Sequence, residues 1–597
     1  MSYRTRLGGE LRAADAGQAV TVAGWVASSR DHGGLVFVDL RDSGGVVQLV
    51  FDPELRPEAH RTAHELRNEF VIQAEGVVTP RSAATVNPKL GSGQVEIRVE
   101  RLEILSKAGV LPFQLDEENV DETLRLRHRY LDLRRDRMRH NLETRFRLTQ
   151  TIRRQMEEEG FWELETPILY KSTPEGAREF IVPARTHPGN FYALPQSPQT
   201  FKQLYVIAGY ERYYQIARCF RDEATRADRT PEFTQLDIEV AFADREEIYG
   251  LIERLFARIW RNVRGEDLAI PFPRLAWEQA MLRYGSDKPD VRFGCEIADV
   301  TQVLAATEFN AFRGVVDSGG VVRGFACPGA TDFSRKDFDD LVEFAKTWGG
   351  KGVAWLQVSG GEIRSPIAKF LSEAEIEGIV ATVGADDGDT IFLVADEKEA
   401  AVRVLGPLRL HLGERLGLIE EGWRFLWVTD FPAFEWVPDE KRWKAAHHPF
   451  TSPNLALNPQ FEDDPTGAKA LAYDLVLNGN EIGGGSVRIH DQDVQRRLFG
   501  VLGLSAEEAE EKFSFLLRAL SMGAPPHAGI AFGLDRLAML LAGAESLREV
   551  IAFPKGQGGF DPLTGAPGAV PTPALTEVGL RLINPPERPP GAPPQQP

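Results

Sequence analysis

The sequence predicts a multidomain α+β protein, and three observations support this prediction. The chain has 597 residues, which is too long for a single hydrophobic core. The N-terminal part shows short alternating strand patterns, whereas the rest mixes helical and strand patterns. A glycine-rich stretch in the middle does not repeat the motifs around it. The predicted parts are a β-barrel over 1–107, a hinge over 108–135, a mixed domain in two pieces over 136–290 and 416–582, an insertion over 291–415 and a tail over 583–597.

Composition and charge are those of a globular chain that does not enter a membrane. Hydrophobic residues make up 43% and charged residues 26%, and no apolar run has the length of a membrane span. The N-terminus lacks the apolar core of a signal peptide, so we expect a cytoplasmic protein with no membrane partner. Cys219, Cys295 and Cys327 form no Cys-x-x-Cys pair, which argues against a zinc site and a disulfide framework.

Five short strands are predicted in the N-terminal part. Alternating apolar and polar residues mark each strand, and glycine pairs mark the turns. Five strands in so short a segment suit a Greek-key barrel such as the OB-fold, which often binds single-stranded nucleic acid, although other small barrels also fit. The predicted strands cover 20–26, 35–40, 46–51, 71–78 and 95–99.

The hinge carries an arginine-rich segment, although the net charge of the whole chain is −19. Net charge sets long-range repulsion, whereas a local patch sets the contact with nucleic acid. The segment alone favours a solvated helical face over such a contact. Its basic residues are Arg125, Arg127, Arg129, Arg134, Arg135, Arg137 and Arg139.

Regular elements follow the hinge. Helical spacing predicts a long helix over 139–159, ended by Gly160, and a strand over 161–169 follows it. A strand pattern returns at 425–431 after the glycine-rich stretch. The proline-rich run 585–594 predicts a disordered end.

An arginine and two carboxylates follow a predicted strand, as Arg221, Asp222 and Glu223. A second arginine, Arg536, comes much later in the chain. Arginine forks bind carboxylates and phosphates by paired hydrogen bonds, so two of them suit the activation of an acid by a nucleoside triphosphate. A surface ion pair is the simpler alternative for Arg221 and Glu223. No P-loop or GxGxxG pattern is present, so a nucleotide must be bound by side chains on a sheet.

The chain resembles the class II aminoacyl-tRNA synthetases, specifically those of the bacterial aspartyl type. Three motifs stand in order: a helix and strand ending at Pro167, the run 220–223 with 233–237, and the run 529–536. This resemblance implies an OB-fold barrel, a catalytic domain built on an antiparallel sheet, and an inserted α/β domain. Further runs typical of the aspartyl type lie at 172–178, 196–202, 446–451 and 480–488.

The resemblance implies a site for L-aspartate. Lys202 and Arg488 would bind the side-chain carboxylate, and Arg221 the α-carboxylate. His447 would close over the bound amino acid. Taken alone, Lys202 is more simply an exposed lysine, and Gly483–Gly485 a tight bend. The expected acceptors for the ammonium group are Glu175, Ser197, Gln199 and Asp237.

The resemblance also implies ATP as a substrate and Mg²⁺ as a cofactor. Arg221 and Arg536 are the expected catalytic residues, the first between nucleophile and α-phosphate and the second at the γ-phosphate. Asp474 and Glu481 are the expected ligands of Mg²⁺. Relatives have glutamine where this chain has Thr230, so a shorter side chain replaces an ATP contact. The other expected ATP-binding residues are Asp222, Glu223, Glu481, Gly533, Leu534 and Asp535.

The expected partners are tRNA and a second copy of the chain. In the family the barrel binds the anticodon, Phe37 stacks on a base, the hinge lies against the tRNA, and Pro167 lies at a homodimer interface. His32 occupies a position where histidine accompanies charging of asparagine tRNA as well, so tRNA(Asn) stays open as a second substrate. The remaining expected anticodon contacts are Arg30, Gln48 and Glu96.

Two alternatives remain open. Asparaginyl- and lysyl-tRNA synthetases share the barrel and the motifs, but Arg488 with Lys202 favours a dicarboxylic amino acid, because a neutral amide would leave two cations unpaired. A non-catalytic RNA-binding paralogue typically lacks one of the motif arginines, whereas Arg221 and Arg536 are both present.

Overall fold

The structure, a computed structural model, describes residues 3–172 and 176–583. The chain divides into two compact units, residues 1–120 and 121–597. Among the described residues, no helix has the length and apolar character needed to cross a membrane. Glu175 and the predicted tail beyond Ile583 lie outside the described residues.

The first unit contains a closed five-stranded barrel, as the strand patterns predict. Its elements are β1 Ala19–His32, β2 Leu35–Asp42, β3 Gly45–Phe51, α1 Pro57–Ala63, β4 Val71–Pro80 and β5 Val95–Ser106. The strand order is β1-β2-β3-β5-β4, and β4 pairs with β1 to close the barrel. Buried and partly exposed residues alternate along β2, so aliphatic side chains such as Val38 and Leu40 fill the interior. The predicted OB-fold architecture is confirmed.

The second unit mixes strands and helices. Its strands are β6 Trp162–Glu163, β7 Ile181–Pro183, β8 Phe191–Ala193, β9 Arg212–Phe220, β10 Glu232–Ala241, β11 Arg274–Ala276, β12 Ala298–Asp299, β13 Val321–Pro328, β14 Ala354–Ser359, β15 Glu362–Arg364, β16 Asp389–Asp396, β17 Phe425–Thr429, β18 Phe434–Val437, β19 Arg442–Ala445, β20 Ala472–Leu477, β21 Asn480–Val487 and β22 His527–Gly533. Its helices are α2 Glu122–Arg127, α3 Arg129–Asp132, α4 Asp136–Glu158, α5 Gln199–Ile207, α6 Arg245–Ile259, α7 Trp277–Tyr284, α8 Asn310–Asp317, α9 Arg335–Thr347, α10 Glu373–Val383, α11 Lys398–Arg415, α12 Gln492–Val501, α13 Ala506–Leu520, α14 Leu534–Ala542 and α15 Thr572–Glu577.

An eight-stranded sheet organises the second unit, in the order β11-β17-β20-β21-β22-β10-β9-β6. Its pairs are antiparallel except for β11 with β17 and β6 with β9. One face packs against α4, α6 and α14 through residues such as Leu148 and Phe256. Part of the other face packs against α12 and α13 through Phe499 and Phe513. The predicted antiparallel sheet with helices on it is confirmed.

Strand β10 presents different chemistry on its two faces. Leu236, Ile238 and Val240 join the core with α4 and α6. The alternate residues Asp237 and Glu239 point to the opposite face and are also buried. Carboxylates are rarely buried without partners, so this face of the sheet marks a site.

A five-stranded sheet, in the order β12-β13-β16-β14-β15, lies within the range predicted as an insertion. Its neighbouring strands all pair antiparallel. Two apolar clusters flank it, one containing Phe325 and Leu405, the other Val322 and Ile379. The boundaries 291–415 stay a prediction.

The region around α4 differs in part from the sequence prediction. The long helix is confirmed, and Gly160, at φ +79°, follows its end. The strand predicted over 161–169 is restricted to β6, because this segment pairs with β9 at only two positions. Pro167 lacks an N–H group and suits a chain that leaves the sheet.

The arginine-rich segment is not uniformly exposed. Arg129 is buried and donates hydrogen bonds to the backbone carbonyls of Arg548, Ile551 and Ala552. It also donates to the carboxylate of Asp132. This arginine therefore clamps the C-terminal part of the unit, which neither a solvated face nor a nucleic-acid contact predicts.

Candidate functional site

Four charged side chains form a buried cluster on the central sheet. Lys202 comes from α5, Asp237 and Glu239 from β10, and Arg488 from the residue after β21. The Lys202 Nζ donates to Asp237 Oδ1 at 2.8 Å and lies 3.2 Å from Glu239 Oε2. All four are at most 5% exposed. Two cations and two anions offset each other, which makes their burial tolerable.

Glu239 holds the guanidinium group of Arg488. The Nε and Nη2 atoms of Arg488 donate to the two oxygens of Glu239 at 2.9 and 3.2 Å, and Nη1 donates to Ser486 Oγ at 2.7 Å. Burial alone would raise the pKa of Glu239, but Arg488 and Lys202 lower it to about 2. Glu239 is absent from the sequence prediction. The signal that finds it is the Asp-x-Glu alternation in an otherwise apolar strand.

Asp237 keeps one carboxylate oxygen free. Its Oδ2 atom is buried and has no hydrogen-bond partner among the described residues. Burial raises the pKa of Asp237, and Lys202 opposes that rise. A buried acceptor without a donor fits an ammonium group, the role predicted for this residue.

A cavity of about 790 Å³ opens beside the cluster. Its volume is sufficient for an amino acid together with part of a nucleotide. The predicted residues that line it are Gln199, Lys202, His447, Asp474, Glu481 and Arg488. Residues absent from the prediction also line it, among them Asp287, Glu399 and His448. Ser197 lies two residues before α5, and its hydroxyl accepts a hydrogen bond from the Gln199 backbone N–H at 3.3 Å.

Two adjacent histidines form one wall of the cavity. The ring of His447 packs edge-to-face on Phe431 with a centroid distance of 4.7 Å. It is accessible to solvent through the cavity, while protein surrounds its other sides. Burial lowers the pKa of His447 to about 4, and burial together with Arg488 and Lys202 lowers that of His448 to about 3. Both imidazoles are therefore neutral at pH 7.

Asp474 and Glu481 come from the hairpin of β20 and β21. Burial and then the charges of Glu481 and Asp287 raise the pKa of Asp474 well above its usual value. A Cβ atom at Gly484 would lie 2.5 Å from Asp474 Oδ1, so glycine leaves room for this carboxylate. Mutually repelling hard oxygens fit Mg²⁺. No group of three or more potential metal-binding side chains occurs among the described residues, so phosphates and water would complete the coordination.

The two predicted catalytic arginines make different contacts. The guanidinium of Arg221 lies over the Phe233 ring at 5.1 Å, and its buried Nε has no hydrogen-bond partner in the described part of the chain. The Nη1 of Arg536 donates to the Glu481 carbonyl at 2.7 Å, and its Nη2 lies 3.5 Å from Asp228. A buried donor without an acceptor fits an anionic ligand at Arg221, in contrast to the ion pair considered from the sequence.

The neighbours of these arginines have structural contacts. Glu223 lies 2.8 Å from Arg229. Asp535 is buried and accepts hydrogen bonds from Arg145 on α4 and from the Thr234 backbone N–H. Asp535 thus ties three motif-bearing elements together. The predicted ATP contacts of Asp222, Glu223, Gly533, Leu534 and Asp535 stay predictions.

Thr230 is the residue expected from the resemblance to replace an ATP-contacting glutamine. It is 7% exposed, and its Oγ1 has no hydrogen-bond partner among the residues described. A buried hydroxyl without a partner is consistent with space for a water molecule beside it.

The predicted anticodon residues share one surface of the barrel. Arg30 pairs with Phe37 across β1 and β2, and Gln48 lies opposite Asp39 on β3. The pairing of β3 with β5 puts Gln48 beside Glu96. His32 is exposed at the end of β1. The structure therefore brings these side chains to neighbouring strands.

Burial raises the pKa of Glu96, with Arg81 and Arg98 opposing. The buried Arg81 Nη2 has no hydrogen-bond partner among the described residues, and its Nε lies 3.9 Å from Glu96. Arg81 is absent from the sequence prediction, because it comes directly after β4 and belongs to no motif.

The architecture defines a class of protein: an OB-fold barrel on one unit, and on the other an antiparallel sheet with arginines on its functional face. Residues 121–557 match the family "tRNA synthetases class II (D, K and N)", and residues 20–105 match "OB-fold nucleic acid binding domain". The first match covers more than half of the chain. The protein belongs to the class II tRNA synthetases of this group, which the letters define as the aspartate, lysine and asparagine enzymes.

Proteins similar in sequence show which of these three enzymes the chain resembles most. The chain is 53% identical to a protein named "Aspartate--tRNA(Asp/Asn) ligase" from Syntrophomonas wolfei, over 97% of this chain and 99% of that protein. Identity to a protein of the same name from Moorella thermoacetica is 52% over 97% of each chain. The predicted resemblance to bacterial aspartyl-type synthetases is confirmed.

Solved structures show the same fold at low identity. Asparaginyl-tRNA synthetase from Pyrococcus horikoshii, complexed with asparaginyl-adenylate, superposes with a TM-score of 0.59 at 20% identity, covering 92% of this chain and 98% of that one. A putative aspartyl-tRNA synthetase from Leishmania major gives a TM-score of 0.58 at 18% identity, covering 93% and 94%.

Proposed function

We propose that this protein is an aspartate–tRNA ligase, which uses ATP to form aspartyl-adenylate and transfers the aspartyl group to the 3′ end of tRNA. The observation that carries this proposal is the buried pair of cations, Lys202 and Arg488, beside the free oxygen of Asp237. An amino acid with a second carboxylate pairs with the cations, and its ammonium group pairs with Asp237.

Binding of aspartate places its α-carboxylate near Arg221. The Nε of Arg221 has no partner within 3–172 and 176–583, which supports this role, because a carboxylate or phosphate would satisfy it. Neutral His447 closes the wall of the cavity without adding a charge that would compete with Arg488. Gln199 and Ser197 are the further acceptors proposed for the ammonium group; Gln199 lines the cavity, and the Ser197 hydroxyl accepts from its backbone N–H.

Adenylate formation needs alignment and charge neutralisation. The α-carboxylate attacks the α-phosphorus of ATP, and pyrophosphate leaves. Arg221 aligns the nucleophile with the α-phosphate, and Arg536 binds the γ-phosphate. Asp474 and Glu481 would hold Mg²⁺, which supplies charge neutralisation to the phosphates. Asp535 keeps α14 against β10, which fixes the base of Arg536.

The second substrate is tRNA. The barrel surface of Phe37, Gln48 and Glu96 supports anticodon binding, because an aromatic side chain and polar neighbours suit unstacked bases. The relatives named for both tRNA(Asp) and tRNA(Asn), together with His32, support charging of both tRNAs. The site of action is the cytoplasm.

A homodimer completes the proposal. Large hydrophobic side chains are exposed on and after α4, which supports a covered surface there: Phe146, Trp162, Ile168 and Leu169. Light scattering at micromolar concentration checks this state, and a mass of 66.4 kDa contradicts it.

The experiment for the proposed function is ATP-dependent attachment of labelled amino acid to purified tRNA(Asp) and tRNA(Asn), assayed side by side. We expect aspartate to be attached to both tRNAs. Attachment to tRNA(Asp) alone contradicts the part of the proposal that includes tRNA(Asn). Attachment of asparagine or lysine in place of aspartate overturns it.

A further inference from the structure

Glu239 contacts both cations of the buried cluster, yet it has no role in the proposed reaction. Its side chain is 0% exposed and contacts both Arg488 and Lys202. A carboxylate so placed competes with the substrate carboxylate for the same two cations. The hydrogen bonds that it leaves free therefore decide what the site can bind.

The guanidinium group has five N–H bonds on two usable edges. Glu239 takes the edge formed by Nε and Nη2 of Arg488, and Ser486 takes one hydrogen of Nη1. One hydrogen on Nη1 and one on Nη2 remain. Paired N–H groups on Nη1 and Nη2 of a guanidinium match the two oxygens of a carboxylate.

The ammonium group of Lys202 is likewise oriented by buried carboxylates. Its ammonium group has three donors, and contacts with Asp237 and Glu239 occupy two directions. Because two cations and two anions nearly cancel, net charge attracts a carboxylate only weakly. Recognition in this cavity therefore depends on the direction of the remaining N–H groups.

The neighbouring strand is adapted to Glu239. Gly529 on β22 pairs directly with Glu239. A Cβ atom at Gly529 would lie 1.9 Å from Glu239 Oε2, so a side chain there would displace the carboxylate. Gly529 begins the third motif, and its required space explains why glycine stands there.

We propose that Glu239 is a positioning residue that makes the site select a carboxylate over a carboxamide, by fixing Arg488 so that the end edge of its guanidinium group faces the ligand. This proposal rests on the proposed function. An asparagine side chain would turn an NH₂ group toward N–H donors and leave buried donors unpaired, which is costly. Glu239 itself does not touch the substrate.

The test compares Glu239→Gln with wild type in exchange of labelled pyrophosphate into ATP. We expect the KM for aspartate to rise at least about tenfold, because Gln cannot accept from both Nε and Nη2. We also expect the ratio of kcat/KM for aspartate over asparagine to fall at least about tenfold, with the KM for ATP unchanged. Glu232→Gln, on the same strand but paired with Arg218 and Lys555, is the matched control and keeps wild-type values.

Gly529→Ala provides a second test that keeps every charge. Its methyl group would lie 1.9 Å from Glu239 Oε2 and 2.4 Å from the backbone carbonyl of Ile238. A folded variant must therefore move Glu239, and we expect the same selective rise in the KM for aspartate. The proposal is overturned if a folded Glu239→Gln or Gly529→Ala variant keeps the wild-type KM and ratio. It is also overturned if the KM values for ATP and aspartate rise together, since that indicates a merely structural role. Wild-type protein that fails to activate aspartate refutes the proposed function instead.

Discussion

At the scale of single residues, Arg488 combines two demands. It is buried, so it needs Glu239 for charge balance, and it must still present hydrogens to a ligand. Asp237 shows the complementary arrangement, with one oxygen bonded to Lys202 and the other without a partner among the described residues. The cluster therefore has one buried acceptor without a partner among the described residues, and its two cations line the cavity.

Replacing Arg488 tests this arrangement. We expect Arg488→Leu to lower aspartate-dependent pyrophosphate exchange by more than about a hundredfold, because a bidentate, buried partner of the substrate carboxylate is lost. Binding of ATP, measured by calorimetry, should persist, since Arg221 and Arg536 lie elsewhere. Arg497→Leu, which removes a partly exposed arginine paired with Glu462 outside the cavity, is the control. Unchanged aspartate affinity in Arg488→Leu contradicts the assignment.

His448, in the wall of the cavity, predicts a pH dependence of stability. His448 has its pKa lowered by burial, and further by Arg488 and Lys202, to about 3 from an ordinary 6.5. The unfolded chain therefore binds more protons between these values, so stability is lost as pH falls below about 6.5. We expect His448→Asn to reduce the drop in unfolding free energy between pH 7 and pH 5 by about 1–2 kcal/mol. Urea unfolding at both pH values measures this drop in unfolding free energy. A drop equal to that of the wild type contradicts the role given to His448.

Sequence reasoning identifies most of these residues through motifs. Lys202, Asp237 and Arg488 belong to recognisable runs, and the structure brings them together. Glu239 and Asp287 belong to none, because their importance arises from which strand or loop lies beside them in three dimensions. A buried carboxylate and an exposed one have the same letter in a sequence.

At the scale of elements, the hairpin of β20 and β21 carries the carboxylates predicted to hold Mg²⁺. A register shift between Leu475 and Val476 interrupts its pairing. Gly483–Gly485 lie along β21, where close neighbours leave little space for side chains. The bend expected from these glycines is a strand in the structure, and their role is to let other groups approach the backbone.

Gly484→Ala tests the role of this space. The added Cβ would lie 2.5 Å from Asp474 Oδ1 and should displace this carboxylate. We expect weaker binding of Mn²⁺, used as a paramagnetic substitute for Mg²⁺ and followed by electron paramagnetic resonance. We also expect a higher Mg²⁺ concentration at half-maximal exchange.

Gly500→Ala on α12 serves as the control, because open space surrounds that position. Equal metal affinity in Gly484→Ala and wild type would show that Asp474 does not bind the ion.

A helix or strand is predicted accurately when residues close in the sequence determine it, and less accurately when pairing with distant residues does. The helix α4 and the barrel strands follow from periodicity and are confirmed. The shortening of the predicted strand to β6 depends on how far β9 pairs with it, which periodicity does not encode. The buried clamp of Arg129 likewise depends on carbonyls more than four hundred positions away in the chain.

At the scale of the whole molecule, the predicted sites for tRNA recognition and for chemistry belong to different compact units. Residues 1–120 carry the barrel with the predicted anticodon surface, and residues 121–597 carry the cavity. The overall architecture is predictable from the sequence because ordered motifs and a barrel pattern occur together. Each unit should consequently respond to substitution in its own assay.

Phe37→Ala tests this division. Loss of base stacking should raise the KM for tRNA about tenfold to a hundredfold in aminoacylation, while tRNA-independent pyrophosphate exchange stays at the wild-type rate. Leu55→Ala, which truncates an exposed side chain of the same unit, should change neither. An unaltered KM for tRNA in Phe37→Ala contradicts the anticodon surface.

The most direct measurement of the central claim is exchange of labelled pyrophosphate into ATP with aspartate, asparagine or lysine as the sole amino acid. Two buried cations, Lys202 and Arg488, and an oxygen of Asp237 with no partner among the described residues predict exchange with aspartate, and none above background with the other two. Exchange with asparagine or lysine but not with aspartate would contradict the account.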